Sequence, residues 1–115
     1  MDELKTEKRE IVKVVLLNSK NIIMKIKSIS FGGTNSANID PKDVFMDAIK
    51  SGAPKVILIH NHPSGDSTPS KQDNIFTNKM EEAARLLGIQ LLDHIIIGND
   101  TYTSIREKRH SLNHN

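Results

Sequence analysis

The chain has 115 residues, enough for one domain whose core needs no covalent staple. Its 16 Lys and Arg stand against 14 acids, a formal net charge of +2, and its aromatics are three Phe and one Tyr. Neither total makes a nucleic-acid platform. The absence of cysteine excludes disulfides, thiolate zinc sites and thiol nucleophiles, and accords with a cytoplasmic location.

No apolar run approaches the length of a membrane span, and the charged start has no signal-peptide core. Residues 1–9 read as a polar N-terminal segment, helical or frayed. Ile11 to Leu17 predicts a strand, Asn18-Ser19-Lys20-Asn21 a turn, and Ile22 to Ile29 a second strand. In that second strand Ile22, Met24 and Ile26 alternate with Lys25 and Lys27, so the pair reads as a hairpin. Phe31 to Asn38 is a loop holding Gly32-Gly33. Asp40-Pro41 opens a helix as N-cap and first residue, Val44, Phe45, Ala48 and Ile49 give its apolar stripe, and Gly52 and Pro54 end it. Val56 to Ile59 is continuously apolar, as for a strand covered on both faces. A polar loop from Asn61 to Pro69 follows. Ser70 begins a second helix with Phe76, Met80, Ala83, Ala84 and Leu87 on one side, and Gly88 stops it. Ile89 to Ile97 is a strand, Gly98-Asn99-Asp100 a turn, Thr101 to Ile105 a short return strand, and 106–115 a loose polar tail. The order β-β-α-β-α-β-β predicts an α/β chain of the α+β kind: a single mixed sheet with helices on opposite faces.

The chemistry concentrates where the central strand runs into its loop, the end of a strand that favours ligand sites in α/β sheets. His60 and His62 share a parity, so in extended chain their Cα atoms lie about 6–7 Å apart on one face. Pro63 keeps His62 extended. Two such imidazoles can converge on an ion with Zn–N distances of about 2 Å, and Asp73, in the first turn of the next helix, can supply a third ligand. Three ligands leave a tetrahedral ion open to water, which is the pattern of a catalytic site.

Plainer readings stand beside this one. An isolated His-x-His is mostly structural. Ser70-x-x-Asp73 is also a helix N-terminal box, although that box prefers Glu or Gln at its last position because Asp is short. The letters H-N-H name a nuclease family, but its residues are dispersed over a ββ-α finger, so that reading is set aside. His94 reads as a buried strand histidine with a satisfied ring nitrogen, or as a partner to a metal ligand. Asp43 is explained by its place in the first turn of the Asp40 helix. His110 and His114 sit in the polar tail, where adventitious metal binding is the most they suggest. Lys5, Lys8, Arg9, Arg106, Lys108 and Arg109 form a basic fringe whose default is solvated charge.

His60-x-His62-Pro63, the ten residues between His62 and Asp73, and Ser70 three before that aspartate resemble the JAMM (MPN-plus) metalloprotease motif. The run from Ile59 to Asp73, with Leu86-Leu87-Gly88-Ile89 and Leu92-Asp93-His94-Ile95-Ile96, is similar to the RadC branch of that superfamily. The likeness extends over 10–105. It implies the cytidine-deaminase-like JAB1/MPN fold, with His60, His62 and Asp73 as zinc ligands and Ser70 as the group that stabilises a developing oxyanion. The family's general base is a glutamate just before an early strand, and Glu10 is the matching position; its alternative reading is a solvated charge near a terminus.

The resemblance implies a zinc-dependent hydrolase, a metallopeptidase that cleaves an amide or isopeptide bond with metal-activated water; iron and manganese also suit the ligand set. The competing reading is a non-catalytic accessory or binding module in DNA repair or replication restart that retains the metal. Relatives usually carry a helix-hairpin-helix segment ahead of this domain. None is read here, so the chain is expected to be a fragment or a minimal form, and DNA contact has little to carry it. The substrate, a peptide or protein, is not named by any residue. An exposed edge in the first hairpin or the last strand could pair with a second copy to give a homodimer.

Overall fold

The apolar first run, the alternating second run and the Asn18–Asn21 turn produce the expected hairpin. In this computed structural model, which describes residues 9–30 and 36–113 (side chains of 9–29 and 36–110), β1 is Ile11–Leu17 and β2 is Ile23–Ser30. Asn18 Oδ1 accepts from the Lys20 and Ile22 amides, and Asn21 takes a positive φ of 63°, a conformation that asparagine tolerates. A short 3-10 helix, Ser36–Asn38, leads into α1, Pro41–Ser51. As expected, Asp40 caps α1 by accepting from the Lys42 amide, and Gly52 closes it in the left-handed conformation. The strands β3 (Lys55–Asn61) and β4 (Gln90–Ile97) flank α2 (Lys71–Leu87), which Gly88 ends in the same way. A short β5, Tyr102–Ser104, follows. Residues 1–8 of the expected N-terminal segment, with Lys5 and Lys8, the Gly32-Gly33 pair and His114 lie outside the described residues.

The strands form one mixed five-stranded sheet in the order β2-β1-β3-β4-β5. β3 and β4 are parallel, and the other neighbours are antiparallel. This is the α+β architecture expected of a JAB/MPN fold.

Two expectations need correction. First, the helices do not cover opposite faces. Val12, Val14 and Leu16 of β1, with Val56 and Leu58 of β3, share one core with Val44, Phe45 and Ala48 of α1 and Phe76, Met80 and Ala84 of α2. Strand residues two apart point the same way, so both helices lie against one face. Handedness explains it. The crossovers β2-α1-β3 and β3-α2-β4 both step towards β5, and right-handed crossovers that step the same way leave their helices on one side. The Lys25–Asp47 ion pair, at 2.9 Å, ties α1 to β2 on that side. Ile57 and Ile59, on the other face of β3, are accordingly only partly buried.

Second, the expected loose tail is helical: α3 runs Ile105–Asn113. Ser104 caps it by accepting from the Glu107 amide at 3.1 Å and donates to the Asp93 carboxylate, which also accepts from the Arg106 amide at 3.1 Å. Ile105 is buried, and Arg109 reaches Glu81 and Asn78 of α2 at 2.6 and 2.7 Å. Among the described residues no helix is long and apolar enough to cross a membrane.

Candidate metal centre

β3 carries His60 through the middle of the sheet, paired with Val12 of β1 and Ile96 of β4. Its parity is that of Val56 and Leu58, so its ring enters the core face and is 1% exposed. His62 lies just past the strand, but its amide still donates to the Ile97 carbonyl at 2.8 Å, which keeps the chain extended. The two rings therefore meet on one side, with centroids 5.0 Å apart and planes at 88°.

The following loop is locked in place. Gly65 adopts a φ of +93° and donates to the His62 carbonyl. Gly98, in the β4–β5 turn, lies so close that a Cβ there would meet the Gly65 carbonyl oxygen at 2.2 Å. Ser67 Oγ bonds the hydroxyls of Thr101 and Thr103. The loop thereby presents the Asp66 carbonyl to His62 Nδ1 at 2.8 Å. A carbonyl can only accept, so Nδ1 carries a proton and Nε2 faces the site.

Asp73 is the hub. Its Oδ2 lies 2.8 Å from His62 Nε2 and accepts from the Ser70 amide at 2.8 Å, while its Oδ1 lies 3.3 Å from His60 Nδ1 and accepts from Ser36 Oγ at 3.1 Å. Its own amide donates to Ser70 Oγ at 3.1 Å. The reciprocal box is therefore formed with Asp, and the objection that Asp is too short fails; one carboxylate serves the helix cap and both imidazoles. Burial raises the Asp73 pKa, but bonds from His60, His62 and the Ser70 amide outweigh it and hold the carboxyl well below the usual range. The Asp73 bond outweighs desolvation and raises the pKa of His62.

Glu10, immediately before β1, brings Oε1 to 3.8 Å from His60 Nε2. Ligand atoms of Glu10, His60 and His62 all lie within 4.8 Å of one another. Glu10, His62, Ser64, Asp66, Thr68 and Ser70 line a cleft of about 340 Å³. The converging set is the two imidazoles and the partly exposed Glu10, with the buried Asp73 carboxylate bonded to both rings beside it, and this donor chemistry fits a divalent ion of the zinc class.

His94 is buried as expected, with one ring nitrogen satisfied. Thr77 Oγ1 donates to the Asp73 carbonyl at 2.8 Å and so accepts from His94 Nδ1–H at 2.6 Å. Burial, reinforced by His60, pushes its pKa down to about 3, and its ring stacks on His60 with centroids 5.8 Å apart. It bonds no ligand side chain directly. Asp43 sits exposed in the first turn of α1, and His110 lies on α3, away from the site. Of the basic fringe, Arg106 and Arg109 are engaged with β4 and α2.

Three residues escape the sequence reading. Ser36 bonds Asp73 from an element whose approach no local pattern announces, and Thr77, one turn further along α2, bonds the Asp73 carbonyl and holds His94. Asn61, between the two histidines, accepts from the Ile11 amide at 2.6 Å and donates to the Arg9 carbonyl at 2.8 Å. Its only signal is a polar residue at an inward-reaching strand end.

A profile of the RadC-like JAB domain matches residues 1–110. The chain belongs to the RadC-like JAB domain family. It is 48% identical over 108 residues to a UPF0758 protein of Clostridium tetani, covering 94% of this chain and 47% of that protein. UPF0758 proteins of Clostridium novyi and Clostridium botulinum are 44% and 45% identical over the same coverage. The chain thus spans about half the length of the curated relatives it matches. Within it, the JAB domain joins a metal-capable His and carboxylate cluster to an open cleft.

Proposed function

We propose that this protein is a zinc-dependent amide hydrolase, a metallopeptidase of the JAMM type, acting on peptide or isopeptide bonds. One observation carries the reading: a partly exposed glutamate outside the Asp73 network meets both imidazoles, with ligand atoms within 4.8 Å, at the wall of an open cleft. A carboxylate buried as a fourth ligand would close the ion's sphere, whereas Glu10 stands partly exposed at the cleft wall, where water and a substrate can reach it. In this reading His60, His62 and Asp73 hold the ion. Bound zinc supplies Lewis acidity, polarising a carbonyl and making water acidic enough to ionise near neutral pH.

The chain's own groups do the rest. Glu10 takes a proton from the attacking water and returns it to the leaving amine. Ser70 Oγ accepts from the Asp73 amide, so its own proton is left to donate to the developing oxyanion. Asp66 and Asp73 orient the imidazoles through Nδ1 of His62 and Nδ1 of His60.

The test uses zinc-loaded protein and a panel of quenched peptides and lysine-isopeptide substrates. Turnover is expected, reduced about 10²–10⁴-fold in Glu10→Gln and about 10²–10³-fold in Ser70→Ala. His62→Ala is expected to lose stoichiometric zinc while keeping its fold. Stoichiometric zinc with no turnover on any substrate would leave the accessory module in DNA repair or replication restart as the surviving reading.

A further inference from the structure

We infer that Asn61, the residue between the two histidines, is a positioning residue that holds Glu10 against the metal site. This rests on the reading of Glu10 as the general base. The register of β1 on β3 runs from Leu17↔Lys55 to Val12↔His60 and stops there. Glu10 lies beyond its end, one residue ahead of β1, where a chain ordinarily frays. Asn61 continues the pairing with its side chain. Strand alternation sends its amide to the face opposite His60. There Oδ1 accepts from Ile11 N–H at 2.6 Å and Nδ2 donates to the Arg9 carbonyl at 2.8 Å. The amide bonds the backbone on both sides of Glu10, as a further peptide rung would, and it is 1% exposed.

The chemistry selects this side chain. A primary amide carries a donor and an acceptor at one branch point, matching the N–H and C=O two residues apart. Aspartate keeps the shape and the bond from Ile11, but has no proton for Arg9 and sets a second anion behind Glu10. Leucine keeps the approximate volume and removes both bonds. The same three-residue run therefore holds the ion with its outer members and aims the base with its middle one.

The experiment compares wild type, Asn61→Asp, Asn61→Leu and Glu10→Gln, all zinc-loaded. Amide exchange at Ile11 should accelerate at least about tenfold in Asn61→Leu and less in Asn61→Asp, with Val14 unchanged as the control for folding. Zinc affinity should stay within about threefold of wild type, because the ligands are untouched. Turnover on the best substrate of the panel should fall about 100-fold in kcat, the cost of misplacing a reacting group by about 1 Å, with KM little changed. Adding either Asn61 change to Glu10→Gln should cost nothing more.

Unchanged Ile11 exchange in both Asn61 variants overturns the clamp. So does wild-type kcat in a variant whose Ile11 exchange has accelerated, or a full further loss on the Glu10→Gln background. If Glu10→Gln itself keeps wild-type turnover, the reading of Glu10 has failed instead, and Ile11 exchange alone decides whether Asn61 fixes this stretch of backbone.

Discussion

Two helices of this domain begin in almost the same way and end up with different work. At α2, Ser70 caps the helix and Asp73 returns the bond to the Ser70 amide. At α3, Ser104 caps the helix and the Asp93 carboxylate, from β4, receives both the Ser104 hydroxyl and the Arg106 amide. Each start pairs a serine with an aspartate. The difference is what the remaining lone pairs face: imidazoles from His60 and His62 for Asp73, and the backbone amide of His94 for Asp93. A helix cap becomes part of a candidate metal centre only when its acid has capacity left over and the neighbouring strand delivers nitrogen ligands to it.

Breaking the first start should have the largest effect. Asp73→Asn removes a buried charge that two histidines face, and should cost about 3–5 kcal/mol in metal-free protein, read by urea unfolding. Zinc titration should show the high-affinity site gone.

Acid should reach the α2 side next, through His94. In the folded protein that ring stays neutral down to about pH 3, whereas in the unfolded chain it protonates near 6.5. Between those values the unfolded chain binds more protons, so stability falls as pH falls, by up to about 1.4 kcal/mol per pH unit. The signs elsewhere differ. The raised His62 pKa gives stability that is full below 6.5 and lost as pH rises through the folded value. The lowered Asp73 pKa gives stability present above 3.8 and lost as pH falls further. Metal-free protein should therefore be most stable near neutrality, and His94→Asn should flatten the slope between pH 6.5 and 4 in urea melts across pH. Zinc must also displace the Nε2 proton of His62, so its affinity should climb with pH until the raised His62 pKa, above 6.5, is passed.

The second start should break more gently. Asp93→Ala should cost about 2 kcal/mol and leave zinc affinity at the wild-type value, since its bonds serve only backbone and Ser104. Ser104→Ala should cost about 1 kcal/mol and appear as faster amide exchange confined to α3. A loss of zinc in either variant would merge the two starts into one unit and defeat the contrast.

The same contrast shows how much of the molecule is legible in its sequence. Local signals are strong for α1 and α2: Asp40-Pro41 and Gly52, then Ser70 and Gly88, mark their ends by backbone chemistry alone. The histidine pair is legible because a period of two is intrinsic to extended chain. α3 escapes notice although Ser104-x-x-Glu107 is a capping signature, because Ile105 is its single buried apolar residue among the described side chains and no helical stripe draws attention. The placement of both helices on one face is hidden because it follows from strand order, which no local window contains. Asn61 and Ser36 are illegible for a similar reason: their partners, Ile11 and Asp73, are 50 and 37 residues away in the chain.

The contact between Gly98 and the Gly65 carbonyl has a consequence for anyone who wishes to redirect this domain. It staples one wall of the cleft to the far edge of the sheet, so that wall cannot lengthen or shorten without dislodging the backbone oxygen that orients His62. New selectivity must be sought in side-chain identity at Ser64, Asp66 and Thr68, on a frame of constant length. A library of insertions there would mostly sample ruined sites, whereas a library of substitutions would sample different tastes of the same one.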